Sequence, residues 1–229
     1  MRLFALWCAI FAAAAASAAN APAAGKITGR VSMAGLATKL PPLPITRDTK
    51  ICGVNKPDEA LVIGTGGGIK NAVIWLADVP VPQDVAKTKI RLDQTACRYE
   101  PHVTVVPAGA TLEIVNSDSV LHHPKAALGE AQQFGFPMPL KGHTVPKRLD
   151  KAQLLKLTCE SHPWMRGYVQ VIDSGAYTVT DEQGSFTLAN VPPGKHKLKL
   201  WHERLGEREE TVEVTSGETA NRELTLQPR

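Results

Sequence analysis

The chain has 229 residues, a formal net charge of +4 and 43% hydrophobic residues. That length suits one large or two modest domains with an adequate core, and no basic run is long enough to read as a nucleic-acid or membrane patch. Nucleic acid is therefore not expected as a partner.

Residues 1–18 carry one positive charge, Arg2, then the apolar run LFALWCAIFAAAAA and a small-residue exit at Ala16, Ser17 and Ala18. This predicts a secretory signal peptide cleaved after Ala18, because the run falls short of the ~20 residues that a membrane span needs; a retained anchor is the alternative. Cys8 lies inside the run and not at its end, which argues against lipid attachment there. The mature chain is expected in the periplasm or outside the cell, with no transmembrane segment after cleavage.

Residues 19–68 read as an N-terminal linker and strand segment: an Ala/Pro stretch, the strand-like KITGRVSM, the Pro-rich KLPPLP and a loop containing Cys52. The run GTGGG at 64–68 lacks the Lys and Ser or Thr that follow in a phosphate-binding loop, so it reads as a glycine-rich turn. Next, IKNAVIWLADV (69–79) is a continuous apolar run of strand length, bounded by Gly and by PVP. Two further strands flank the turn PAG in ACRYEPHVTVVPAGATLEIVN. His102, just before one of them, lacks a paired ligand at metal spacing and reads as a structural histidine.

The most informative stretch is LKLTCESHPWMRGYVQVI, residues 155–172, which places Cys159, His162 and Met165 in seven residues between two alternating segments. In LLKLTC, Leu155, Leu157 and Cys159 share one face, the inward one if the leucines are core. Thiolate and thioether are soft ligands that favour copper, and imidazole serves several metals. A second imidazole is available at His122, in NSDSVLHH after the strand-like TLEIVN. Met138 and His143 are alternative ligand candidates in the less regular stretch 124–147. Met165 is preferred to Met138 because it shares the tight loop with Cys159 and His162.

The motif CESHPWMRGYVQV resembles the copper-binding loop of the cupredoxins, most closely the amicyanin and pseudoazurin types, with the short C-x2-H-x2-M spacing of the amicyanin type. The upstream N-x-D-x3-H (Asn116, Asp118, His122) resembles the segment that carries their first histidine. This resemblance covers residues 101–172. It implies His122, Cys159 and His162 as strong copper ligands and Met165 as the weak axial one, in a single type 1 site. One departure is His123, where the family usually has an Asn that pins the two ligand loops together. With Cys159 assigned to the metal, Cys52 and Cys97 form an even pair in an oxidising compartment, so a disulfide between them is expected, with two unrelated buried thiols as the alternative. No C-x-x-C-H is present, so covalent haem is not indicated.

After Asp173 the character changes. The turns DEQG and PPG separate strands with alternating Phe186, Leu188 and Leu198, Leu200. The TD-x2-G-x-F and VPPG segments resemble a carboxypeptidase regulatory-like domain, a small transthyretin-like sandwich without chemistry of its own. Its usual opening strands, G-x-V and NA-x-V, have counterparts at 29–31 and 71–76, ahead of the copper region. His196 and His202 share a strand parity but lie ~20 Å apart as extended chain, so they read as strand-face residues.

The expected architecture is all-β: a Greek-key cupredoxin sandwich (69–173) and a transthyretin-like β-sandwich (174–229), in tandem or sharing and interleaving strands. The expected function is periplasmic transfer of single electrons by a blue copper protein. Its partners would be transient redox proteins, such as a dehydrogenase or c-type cytochrome, docking at the His162 edge beside an apolar patch of Pro163 and Trp164 rimmed by Arg166, with Trp164 as a core residue the alternative. The alternative is a copper-handling or cell-envelope interaction module whose copper is structural. Enzymatic activity is not expected, because Met165 would occupy the axial position and no HCH tripeptide of a multicopper oxidase is present.

Overall fold

The computed structural model describes residues 22–35 and 39–228, so the expected signal peptide and Cys8 lie outside the described residues. The fold is all-β, arranged as two sandwiches. In the first, a five-stranded sheet ordered Ala131–Gly135, Pro124–Leu128, Gln153–Cys159, Arg166–Ile172, Val103–Pro107 faces a four-stranded sheet ordered Thr144–Arg148, Thr111–Asn116, Lys89–Thr95, Arg98–Glu100. Period-two alternation places the core. Leu155, Leu157 and Cys159 point inward while Lys156 and Thr158 point out, and Leu112 and Ile114 do the same opposite them.

The second sandwich pairs a three-stranded sheet (Ser185–Val191, Gly25–Met33, Thr219–Leu226) with a four-stranded one (Tyr177–Val179, Val73–Leu76, Gly194–His202, Gly206–Val214). Its core holds Ile27, Val31, Ile74, Leu76, Phe186, Leu188, Leu198, Leu200, Val212 and Leu224. The N-terminal strand is thus central to the sandwich that ends the chain, and runs parallel to the last strand.

This corrects the expected boundaries at 69–173 and 174–229 and agrees with the interleaved alternative, in which 29–31 and 71–76 belong to the second sandwich. Val73–Leu76 pairs with Tyr177–Val179 and Gly194–His202, not with the strands of the first sandwich. The physical reason lies in its two faces. Ile74 and Leu76 fill the second core, whereas Val73 joins Val103, Val105, Ile172 and Trp201 in a cluster between the two sandwiches. A strand covered on both sides reads as one apolar run wherever it sits. The first sandwich leaves after Val73–Leu76 and returns at Tyr177–Val179, two paired neighbours, so the second sandwich accommodates the insertion without losing a strand pairing.

Across the seam His102 Nε2 meets Glu203 Oε1 at 2.6 Å, both side chains buried. His102 is the structural histidine that the sequence suggests. The GTGGG run is a turn: a Cβ on Gly68 would lie 1.9 Å from the Gln183 carbonyl oxygen, so only glycine lets these loops approach.

Between Gly25–Met33 and Val73–Leu76, residues 43–56 do not stay on their own sandwich. They lie on the first one, where Ile45 and Cys52 enter the core and Cys52 forms a disulfide with Cys97. Leu43–Pro44 pairs with Asn55–Lys56 to close this arm, and the one-turn helix Thr49–Cys52 lies between them.

Candidate metal centre

The strand Thr111–Asn116 ends on a buried Asn116, whose amide group donates to the carbonyls of Val120 and Met138 while its oxygen accepts from the Asp118 amide. This folds the loop back and aims Asp118 inward. The Asp118 carboxylate accepts from the amides of Ala96 and Cys97, each at 2.8 Å, and from His122 Nε2 at 2.9 Å. Burial raises the Asp118 carboxyl, but these donors prevail and hold it below its ordinary value. Backbone pairing with Met138 fixes His122 from the other side.

Cys159 ends the inward face of its strand, and its sulfur accepts from the His123 amide at 3.3 Å. His162 follows three residues later, and the Met165 amide donates to its carbonyl, which closes the ligand loop. His162 Nε2 donates to Asp48 Oδ2, 2.9 Å away and 114 residues distant in sequence. His122 and His162 are 0% exposed and Cys159 is 4% exposed.

Three donor atoms converge. His122 Nδ1 and His162 Nδ1 are 3.0 Å apart, and Cys159 Sγ lies 4.0 and 3.9 Å from them. A triangle with those sides has a circumradius of about 2.1 Å, the length of metal bonds to nitrogen and sulfur. With a carboxylate at the Nε2 of each ring, the neutral imidazole would present its Nδ1 lone pair to the same point; in the metal-free protein a proton on Nδ1 instead lets the ring donate to the thiolate. Two imidazole nitrogens and a thiolate at this spacing can hold a cation. The residues therefore fit a metal ion, and the thiolate selects a soft one.

The electrostatics agree. Burial pushes the Cys159 thiol up, but hydrogen bonds from His122 and His162 and from the His123 amide outweigh it, and its pKa falls to about 6. Burial lowers His122, yet Asp118 and the Cys159 thiolate outweigh that and raise it to about 8.

The structure brings together His122, Cys159 and His162. Met165 is buried in the same loop. The Met138 sulfur accepts from Gln94 Nε2 at 3.1 Å, which gives that thioether a partner of its own. His143 is exposed. His123 takes over loop pinning by different chemistry: its carbonyl accepts from the Glu160 amide and its Nδ1 lies 3.2 Å from the Glu160 carboxylate. His196 pairs with Asp78 and the Pro192 carbonyl, and His202 lies at the seam, so the two share no centre.

The surface around His162 departs from the expected apolar patch and follows the alternative for Trp164. Trp164 is buried, and its indole donates to the Cys97 carbonyl, so it forms core and not a docking patch; Arg166 pairs with Asp58. The His162 edge is covered by Asp48, and the Cys52 and Cys97 sulfurs lie within 4.8 Å of each other and of a His162 ring nitrogen. Sequence reasoning missed Asp48 because nothing in RDTKIC distinguishes it. The role of Asp118 carries a local signal, its position four residues before His122.

Over residues 173–222 the sequence matches the profile of polysaccharide lyase family 4, domain II, which spans most of the second sandwich's C-terminal strands. No curated protein matches the chain. Similar solved structures include a purple cupredoxin from Nitrosopumilus maritimus, 24% identical over 37% of this chain and 99% of that chain, with a TM-score of 0.32. Two reduced amicyanin mutants are each 27% identical over 44% of this chain and 98% of theirs, with TM-scores of 0.34.

Proposed function

We propose that this chain is an exported type 1 copper protein that passes single electrons between redox partners. The observation that carries the reading is the convergence of His122 Nδ1, His162 Nδ1 and Cys159 Sγ on one buried point. His122, Cys159 and His162 would be the strong ligands and Met165 the axial one. Copper bound there supplies a one-electron couple. The protein residues do the rest. Asp118 and Asp48 hold the imidazoles in the ligating tautomer, the His123 amide stabilises the thiolate, and burial of all three donors excludes water.

A rigid, buried donor set changes little between oxidation states, which suits a shuttle. In this reading Met165, buried in the same loop, would be a further weak ligand, and no enzymatic role is assigned. The partners would be transient redox proteins of the periplasm, such as a dehydrogenase or a c-type cytochrome. The second sandwich would serve as an interaction module of the carboxypeptidase regulatory-like kind, without chemistry of its own. One observation favours a second reading, in which copper is held or handled: the arm that carries Asp48 closes the ligand edge.

The test is the visible absorption and electron paramagnetic resonance of the full-length mature protein titrated with Cu(II), beside Cys159→Ser. An intense thiolate-to-copper band, absent in the variant, is the expected result. Colourless protein, or copper binding indifferent to the substitution, overturns the reading. A reversible couple then favours the shuttle, and copper lost on reduction favours the holding module.

A further inference from the structure

The arm over the first sandwich does more than link two strands of the second. Asp48 directly precedes the helix Thr49–Cys52, where an aspartate ordinarily turns its carboxylate back to cap the helix amides. Here the carboxylate makes no cap bond and reaches His162 Nε2 instead. The backbone at Asp48 is left-handed, φ 51° and ψ 32°, a conformation that costs a residue with a side chain about 1 kcal/mol or more. The conformation persists because the arm is held around it: Ile45 lies in the core, the Ile45 amide donates to the Val54 carbonyl, and Cys52 is bonded to Cys97.

We propose that Asp48 is a positioning residue for the metal ligand His162, and that the arm bearing it is a cover that limits exchange of the bound ion. The proposal rests on the copper reading above. Each imidazole has its own carboxylate, and such outer partners fix ring orientation and raise ligand basicity. The two carboxylates are not equivalent. Asp118 is buried among three donors, whereas the Asp48 side chain is 44% exposed and makes its side-chain bond to His162 from a separate piece of chain. It can therefore be altered without dismantling the loop that carries His122. With the cover closed, His162 is 0% exposed, so a chelator or a docking protein meets the arm before it meets the ligand.

The experiment compares full-length wild type, Asp48→Ala and Asp48→Asn. Copper removal by a colourless chelator is followed through the thiolate-to-copper band, and the His162 ring is followed by nitrogen NMR in the metal-free protein. In Asp48→Ala the band persists while copper loss accelerates about 10–100-fold, and the protected Nε2 proton of His162 disappears. Asp48→Asn keeps an acceptor oxygen and restores both properties in part. Equal removal rates in all three proteins, with an unchanged His162 ring signal, overturn the proposal. If wild type itself shows no such band, the copper reading fails. The metal-free ring signal then still decides whether Asp48 positions His162: loss in Asp48→Ala supports that role, and persistence overturns it.

Discussion

The two sandwiches bury polar side chains for opposite purposes. In the second, Thr180 and Ser174 are satisfied by nearby backbone: Thr180 Oγ1 donates to the Ile69 carbonyl and accepts from the Ala72 amide, and Ser174 donates to the Leu76 carbonyl. These groups stitch loops to strand ends and point to no common centre. In the first, Asp118, His122, His162 and Cys159 bond toward one another around a shared point. Dispersed polar groups close a fold, whereas convergent ones leave donor capacity that only a ligand completes.

The sharpest way to test that contrast is the ionisation of Cys159. In the metal-free protein its thiol falls from 9.0 to about 6, a difference of about 4 kcal/mol in favour of the thiolate. The folded value lies below the unfolded one, so this contribution to stability is full above pH 9 and is lost as pH falls through about 6. His122 runs the other way: raised from 6.5 to about 8, its contribution is full below 6.5 and lost as pH rises through about 8. Ultraviolet titration of the thiolate in the metal-free protein should show a midpoint near 6 that returns toward 9 in His122→Ala. An unmoved midpoint would mean that the imidazole does not stabilise the thiolate.

Asp118→Ala is the next largest change, because it strips the Ala96 and Cys97 amides and His122 of one common acceptor. A loss of about 3 kcal/mol in urea unfolding of the metal-free protein is expected, accompanied by weakened copper binding. Stability lost with copper binding intact would reduce Asp118 to a loop brace.

The smallest effect should come from Thr180→Val, which leaves one carbonyl and one amide of the second sandwich without partners. It should cost about 1–2 kcal/mol and leave the copper spectrum untouched. A spectral change there would show that the two sandwiches are coupled through the seam of Val73, Val105, Ile172 and Trp201.

Much of this was local and therefore readable. The parity of Leu155, Leu157 and Cys159 predicts the inward thiol, and it is buried as expected. The spacing of Cys159, His162 and Met165 places three candidate donors in one loop, and His122 after a strand adds a fourth from a second, because each rests on a few consecutive residues with a defined period. The Cys52–Cys97 pairing followed from the number of cysteines and is present.

Three features depended on packing between distant segments. Val73–Leu76 belongs to the second sandwich: its apolar run says that a strand is covered and not by what, and only the resemblance of 71–76 to an NA-x-V opening strand pointed to the place that packing fixed. His102 finds Glu203, 101 residues on, only once the seam has formed. Asp48 reaches His162 only because the arm crosses from one sandwich to the other. The sequence by itself determined the strands, the donor types and their spacing, all of which are set by side-chain alternation and ligand chemistry over short range. Tertiary structure alone decided which sheet each strand joined and what closed the ligand edge, because those depend on contacts that exist only after distant segments have packed together.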